Sequence, residues 1–262
     1  NIFLGAYSGS QNGTAADNDA ANNIAIGYAT GCALTDGDNN IFMGNGSGSE
    51  TTTGLANVMI GNYAGSKHIS GSENTYIAHC AGKCMCNGSN NIAIGQMALR
   101  GSSTVSDNSG SNNIAIGKGA GCLLTSAGNN IFIGKYAGDA TTTGNYNVAI
   151  GAGVDLASGT GSSQLAIGCG TSYWITGDSS FNVTVNTISA SNFNSTSDIR
   201  LKTNIQPIGD PIGKVKQIEG VSFNWKKDNK PALGVIADQV QEILPELVHG
   251  DDPKTVNYNG LI

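Results

Sequence analysis

One segment has the residue types of a metal site: His79-Cys80-Ala81-Gly82-Lys83-Cys84-Met85-Cys86. Closely spaced thiolates and imidazoles bind zinc, and the sequence patterns of zinc sites pair two spaced ligand couples. No second couple accompanies this segment, because the other cysteines stand singly at Cys32, Cys122 and Cys169. We therefore predict buried or turn-region thiols and no metal site. Disulfide bonds within or between chains stay open.

Glycan hydrolysis would require a different group, a pair of clustered carboxylates. Acidic residues are sparse in residues 1–176, and no acidic pair recurs there. The sequence therefore predicts no glycosidase, and we expect no cofactor.

A run of polar and charged residues, Ser197-Asp198-Ile199-Arg200-Leu201-Lys202-Thr203-Asn204-Ile205, divides the chain into two parts. Before it lies a Gly- and Asn-rich repeat array. After it lie helical patterning, Trp225 and most of the lysines. On its own, the alternation of Asp198, Arg200 and Lys202 favours nothing more than the charged face of a strand.

The composition limits the class of protein. The 262 residues include 38 glycines, about twice the usual share, and 12% charged residues, about half the usual share. Low charge with 39% hydrophobic residues indicates a protein that buries its surface on itself or on partner chains. The net charge of −6 argues against non-specific binding to nucleic acid or anionic membranes. No apolar run approaches the ~20 residues that span a bilayer, so we expect no membrane insertion.

A short motif, apolar–any–apolar–Gly, recurs along the array. Its last residue falls at positions 5, 27, 44, 61, 78, 95, 117, 134, 151 and 168, which gives a 17-residue unit extended twice to 22, and Thr75-Tyr76-Ile77-Ala78 is a degenerate copy that ends in Ala. Such a short fixed period predicts stacked coils of short parallel strands. Because the outer residues of Ile24-Ala25-Ile26 are constant and the middle one varies, we expect the outer pair to face the core. The tracts Thr51–Thr53 and Thr141–Thr143 are predicted to be polar strands.

Glycine and asparagine flank each predicted strand. The Gly permits a positive φ or a close backbone approach, and the preceding Asn-Asn tolerates left-handed conformations. These Asn-Asn-Ile-Ala-Ile-Gly units resemble the head repeats of trimeric autotransporter adhesins, which implies a parallel β-roll in a three-chain bundle. The 17-residue period is longer than the typical adhesin unit. A thin core and an apolar second face independently favour a homotrimer.

The region after the array predicts a neck and a small α+β domain. Phe181 to Asn186 alternates as a half-buried strand, and Ser189–Thr196 reads as a connector. Asp210-Pro211 predicts a helix start, and Val221, Phe223 and Trp225 alternate as a strand. A second helical stripe follows, made of Ile236, Val240, Ile243 and Leu247.

Four blocks of this domain, in order, resemble the intramolecular chaperones of peptidase family S74, found at the C-termini of phage tail fibres and tailspikes. They are Ser197–Ile205, Gly220–Trp225, Gly234–Val248 and Val256–Ile262. The resemblance implies a mainly β protein: a trimeric parallel β-solenoid at 1–176, a neck at 177–197 and a chaperone domain at 198–262. The family continues into a long C-terminal helix, which is not part of this sequence.

The resemblance also implies chemistry. The chaperone would template trimer assembly and then cut the Ser197–Asp198 bond, with Ser197 and Lys202 as a serine–lysine pair. A lysine acts as a base only when its pKa is lowered, for example by burial. Residues five apart face opposite sides of a strand, so a turn or a neighbouring chain must bring them together. Which chain supplies the nucleophile stays open.

We therefore predict a receptor-binding trimeric fibre of a virion tail, with single-turnover self-cleavage and no turnover of an external substrate. The alternative is a trimeric adhesin of the bacterial cell surface with the same chaperone. A host cell-surface glycan or protein is the expected receptor. The loops Asn12–Ala21 and Ser102–Ser111, or the aromatic pair Tyr173-Trp174, could contact it.

Overall fold

The computed structural model describes residues 1–10, 19–102, 108–185, 198–226, 229–251 and 253–258. The internal contacts of the chain divide it into two compact units, Asn1–Ile188 and Ser189–Ile262. The first unit holds the repeat array, and the second holds the α+β region.

The array folds into a parallel β-solenoid. Ten short strands follow one another in the same sheet, and each pairs in parallel with the next at the spacing of the repeat, as in Ile24↔Ile41 and Ile92↔Ile114. The predicted mainly β class and 17-residue coil are thereby confirmed. The strands are β1 (Ile2–Leu4), β2 (Ile24–Ile26), β3 (Ile41–Met43), β4 (Val58–Ile60), β5 (Thr75–Ile77), β6 (Ile92–Ile94), β7 (Ile114–Ile116), β8 (Ile131–Ile133), β9 (Val148–Ile150) and β10 (Leu165–Cys169).

Two antiparallel strands follow the last coil. Strand β11 (Ser172–Gly177) turns back onto β10, and β12 (Val183–Val185) pairs with β11. The predicted neck strand is therefore present, with bounds shorter than the alternation suggested. The two strands cover the edge of β10 that would otherwise present unpaired backbone groups.

The predicted orientation of the strands is wrong. The variable middle residues, among them Ala25, Phe42 and Tyr76, are fully buried, whereas the constant outer residues such as Ile94 and Ile116 are about 38% exposed. The reason is space: a thin coil admits one inward side chain per strand, so a large residue in one coil is matched by a small one in another. The outer residues of β2–β10 form an apolar surface band, called here the strand ribbon.

The position after the apolar–any–apolar motif is glycine in every array coil except that of β5, where Ala78 adopts φ 115°, and two constraints favour glycine there. Gly117 has φ +130°, and a Cβ placed there would lie 2.5 Å from the carbonyl oxygen of Gly134 in the next coil. The coil therefore turns sharply while touching its neighbour, as the sequence predicted. The threonine tracts follow a different course, since Thr51–Thr53 and Thr141–Thr143 lie in bends and not in the predicted strands.

The two residues of each Asn-Asn pair have different structural roles. The first is left-handed, as at Asn39 with φ 60°, whereas the second is buried. The Oδ1 of Asn40 accepts from the backbone N–H of Asn57 at 2.9 Å and from its Nδ2 at 3.1 Å, and Asn57 Nδ2 also donates to Gly71 O at 2.9 Å. This pattern repeats along the array and forms the asparagine ladder: Asn23, Asn40, Asn57, Asn74, Asn91, Asn113, Asn130 and Asn147, closed by Gln164.

The second unit contains short elements. Asp210 caps helix α1 (Pro211–Gln217), with its carboxylate accepting from the N–H of Gly213 as the sequence predicted. The second helix, α2, covers Ala237–Ile243, and neither helix in the described residues is long or apolar enough to cross a bilayer. The strands form two antiparallel pairs: β13 (Val221–Asn224) with β14 (Pro231–Gly234), and β15 (Val248–His249) with β16 (Thr255–Val256).

This unit buries little of its own apolar surface. Among its described residues only Val240 is fully buried, while Leu201, Ile212 and Leu233 are 74%, 68% and 85% exposed. Isolated domains of this size need a substantial apolar core to balance the conformational entropy lost on folding. The unit therefore has an apolar surface suited to association with other chains.

Candidate processing site

The run that follows Ser197 forms a turn. Ile199–Leu201 is a 3-10 helix, and Asp198 caps it by accepting from the N–H of Arg200 at 2.9 Å. The Arg200 guanidinium also donates hydrogen bonds to the Asp198 carboxylate, with Nη2 at 2.6 Å from Oδ2 and Nε at 3.1 Å from both oxygens. The hydrogen bonds from Arg200 lower the pKa of Asp198, so this side chain is a carboxylate at neutral pH. The charged-strand interpretation is therefore wrong.

Lys202 stands at the other end of this turn. Lys202 ends the 3-10 helix by donating its backbone N–H to Ile199 O at 3.1 Å, and its side chain lies in an exposed part of the surface. Ser197 lies outside the described residues, so the Ser197–Lys202 pairing remains a prediction. In a single chain Lys202 is not buried, and burial is the factor that would lower its pKa enough to act as a base.

An aromatic cluster lies at the end of β13 in the second unit. The rings of Phe223 and Trp225 meet edge to face, with centroids 5.2 Å apart. Tyr258 reaches the same groove, where its hydroxyl accepts from the N–H of Val235 at 3.4 Å. Lys254 forms an ion pair with Asp238 at the end of this groove. Trp225 stays 58% exposed, so the groove is another apolar surface of this unit.

The cysteine segment is packed into the solenoid turns. In the described residues, no three His, Cys, Asp or Glu side chains come close enough to hold a metal ion. Cys84 and Cys86 are buried, and burial raises the pKa of Cys84 and raises that of Cys86 to about 11. Both thiols are therefore protonated at neutral pH, which makes them poor nucleophiles and poor metal ligands. The Cys80 Sγ contacts His79 Nε2 at 3.5 Å.

The predicted receptor contacts are only partly visible. Tyr173 and Trp174 lie on β11, and Trp174 is 67% exposed. The predicted loops fall mainly on residues 11–18 and 103–107, which lie outside the described residues.

The strand ribbon is a candidate functional surface that was not predicted from the sequence. Its signal was available, because the outer positions keep Ile, Val, Leu or Met in nearly every coil while the middle position varies. A position that stays apolar although it is half exposed indicates a surface that another chain covers. The degenerate strand β5, with Thr75 and Ile77, keeps only one apolar outer residue.

Comparison with known proteins found a family model and a relative that match parts of the chain. Residues 197–249 match the family model Peptidase_S74, described as the chaperone of endosialidase. The long tail fiber protein Gp37 of Escherichia phage AR1 is 36% identical over 78 residues, which cover 25% of this chain and 7% of that protein. No solved structure matches.

These findings confirm the resemblance inferred from the four sequence blocks. Residues 197–249 are similar to the chaperone domain of this family, and part of the chain is similar to a phage long tail fibre protein. The chain spans about 7% of the length of the fibre protein that it matches.

Proposed function

We propose that this chain is a segment of a receptor-binding homotrimeric tail fibre on a virion, with a solenoid shaft at 1–176, a neck at 177–197 and a chaperone at 198–262. The chaperone drives assembly of the trimer and is then released by cleavage of the Ser197–Asp198 bond. The observation that carries the proposal is the family match, which begins at Ser197 itself. The phage origin of the matching fibre favours a virion over a bacterial surface adhesin.

Trimer formation is supported by the strand ribbon. Neighbouring strands of a sheet lie about 4.8 Å apart, so the ribbon along β2–β10 is roughly 40 Å long. Such a continuous apolar band is unusual on a monomer, and a three-fold axis parallel to the solenoid would let three ribbons cover one another. The exposed apolar side chains of the second unit would likewise be covered if three chains associate.

Near-identical coils explain why assembly would need a template. A chain displaced by one coil would pair almost the same residues, so the repeats themselves define the register between chains only weakly. Parallel strands also pair across many residues, which makes folding slow and aggregation a risk. A module that associates first would set the register and raise the local concentration of the shafts.

The cleavage step is a hydrolysis. Water is consumed, the Ser197–Asp198 amide breaks, and a carboxylate at Ser197 and an amine at Asp198 remain. Attack by Ser197 Oγ on its own carbonyl would close a four-membered ring, so Ser197 acts on a neighbouring chain or activates water. Lys202 is exposed in the single chain, and packing of a second chain over it would supply the desolvation that a lysine base requires.

The test is the intact mass of the purified chain beside Ser197→Ala and Lys202→Ala variants, with Lys214→Ala as a matched control. We expect the wild type and Lys214→Ala to split between Ser197 and Asp198, and the other two to stay whole. If all four stay whole, the assigned self-cleavage is wrong and the module is at most a trimerisation tip. Sedimentation of the uncleaved Ser197→Ala chain reports the trimer independently.

A further inference from the structure

The basic residues of the solenoid follow its period. Five consecutive coils, those that contain β4 to β8, carry one lysine or arginine each, and these five are all the basic residues of positions 1–176: Lys67, Lys83, Arg100, Lys118 and Lys135. The chain as a whole has net charge −6, so this grouping is a local departure from its acidic character.

The five residues lie in the turn segment that follows the strand, at two positions of the coil. Lys67, Lys83 and Arg100 stand five or six residues after the motif-final residue, whereas Lys118 and Lys135 follow it directly. The backbone N–H of Lys67 donates to Lys83 O at 2.9 Å, and that of Cys84 donates to Arg100 O at 2.8 Å. The N–H of Tyr136 donates to Lys118 O at 2.8 Å. Since adjacent coils are about 4.8 Å apart, the cations form two short rows along the solenoid axis. We call these two rows together the basic corner.

Two tyrosines interleave with the cations. Lys83 Nζ lies 5.5 Å from the ring centroid of Tyr63, and Lys118 and Lys135 lie 6.0 Å and 5.5 Å from that of Tyr136. Tyr63 and Tyr136 occupy the same position in their coils, and each is the second residue after the strand-ending glycine. They are 43% and 37% exposed, and four coils, or about 19 Å, separate them. Each ring therefore offers an aromatic face beside a positive charge.

The corner lacks counter-charges of its own. Among the described residues, no carboxylate lies within 4.0 Å of any of the five cations, the only two ion pairs being those of Asp198 and Asp238. The Nε of Arg100 is buried and has no hydrogen-bond partner. Acidic residues occur at the ends of the corner, with Glu50 one coil before Lys67 and Asp139 in the coil of Lys135. Cations without a carboxylate partner that follow one another along the shaft attract an anion that runs along them.

We propose that the basic corner binds an acidic polysaccharide laid along the shaft, with its carboxylates on the cations and sugar rings on Tyr63 and Tyr136. This inference rests on the proposed receptor-binding fibre and specifies the class of its receptor. A glycan fits better than a nucleic acid. A nucleic acid strand carries a charge about every 3.4 Å, which is closer than the spacing of about 4.8 Å between the cations of adjacent coils. A saccharide chain spaces its charges more widely and presents apolar ring faces that pack on tyrosine.

The experiment measures binding of the full chain to three probes: hyaluronate, neutral dextran of similar length and the oligonucleotide (dT)20. We expect hyaluronate to bind, with an affinity that falls as salt screens the charges, and dextran not to bind. Lys118→Gln with Lys135→Gln should weaken binding about 4- to 25-fold, at roughly two- to five-fold per exposed charge pair. Tyr136→Asn, which tolerates the left-handed backbone, should weaken it about two- to tenfold.

Lys214→Gln with Lys216→Gln in α1 removes the same charge elsewhere and should leave the affinity unchanged. Equal binding of (dT)20, an unchanged affinity in the Lys118/Lys135 variant, or a loss as large in the α1 variant would each overturn the inference. Sedimentation of the same samples separates the two proposals. A trimer that does not bind hyaluronate refutes the acidic-glycan site alone, whereas a monomer refutes the fibre assembly on which it rests.

Discussion

The asparagine ladder makes a quantitative prediction about stability. Asn74 lies in the middle of the ladder: its Oδ1 accepts from Asn91 N at 2.9 Å and Nδ2 at 3.1 Å, and its Nδ2 donates to Asn57 Oδ1 at 3.0 Å and Gly88 O at 2.9 Å. Replacing Asn74 with Ala removes all four hydrogen bonds. The backbone N–H of Asn91, one of its amide hydrogens and Gly88 O would then be buried with a partner missing. At about 1–3 kcal/mol for each of these three groups, the free energy of unfolding should fall by about 3 to 9 kcal/mol per chain.

The matched control is Asn62→Ala, because Asn62 is an exposed asparagine in the neighbouring turn. A surface change of this kind should alter stability by less than about 0.5 kcal/mol. Because β-solenoid fibres unfold slowly, the informative quantity is the unfolding rate, followed by the circular dichroism of the strands in guanidinium at fixed temperature. If the ladder is broken in the transition state for unfolding, a loss of about 3 kcal/mol accelerates unfolding more than 100-fold. If Asn74→Ala lowered equilibrium stability no more than Asn62→Ala, the ladder would not be a main source of stability.

Three further outcomes follow from the solenoid. Ile94→Lys places a charge in the strand ribbon and should convert the proposed trimer to monomer in sedimentation, while Leu123→Lys, at an exposed turn, should leave that trimer intact. Gly117→Ala should lower the thermal unfolding temperature by several degrees or prevent folding, because the φ of +130° and the neighbouring carbonyl leave no room for a Cβ. Gly220→Ala is the control, and it should have little effect because the space around Gly220 is open. Burial raises the pKa of the Cys86 thiol to about 11 in the folded chain, whereas the same thiol ionises at about pH 9 in the unfolded chain. The free energy of unfolding should therefore fall as the pH rises from 9 to 11. Cys86→Ala should remove this part of the alkaline loss, and equal pH profiles for the two proteins would contradict the assignment.

The sequence predicted the solenoid well because its information is local and periodic. The spacing of the strand-ending glycines gives the coil length, the register and the two extended coils without knowledge of tertiary contacts. The orientation of the strands was predicted wrongly, because a constant apolar position was taken as core. A thin coil instead exchanges large and small residues inside, as Phe42 and Ala25 do, and the constancy of the outer positions fits contact with something beyond the single chain.

The candidate processing site could be predicted only in part from the sequence. The run from Ser197 identified the family, and Asp198, Arg200 and Lys202 are now seen at a turn instead of a strand face. Sequence could not show this turn, because it depends on a side-chain cap by Asp198. It also could not show that Lys202 is exposed in one chain, since burial of a lysine depends on packing between elements.

The extended coil between β6 and β7 has a consequence for engineering. Its five additional residues leave the pairing Ile92↔Ile114 and the ladder bond from Asn113 to Asn91 intact. Asn108 Nδ2 donates to Ser102 O at 2.7 Å, which joins the two described residues on either side of positions 103–107. Because doubling the length of a closed loop costs only about 0.6 kcal/mol, foreign peptides grafted between these two residues should leave the shaft folded. A trimeric shaft would then display three copies of the graft at one height, as a rigid multivalent scaffold.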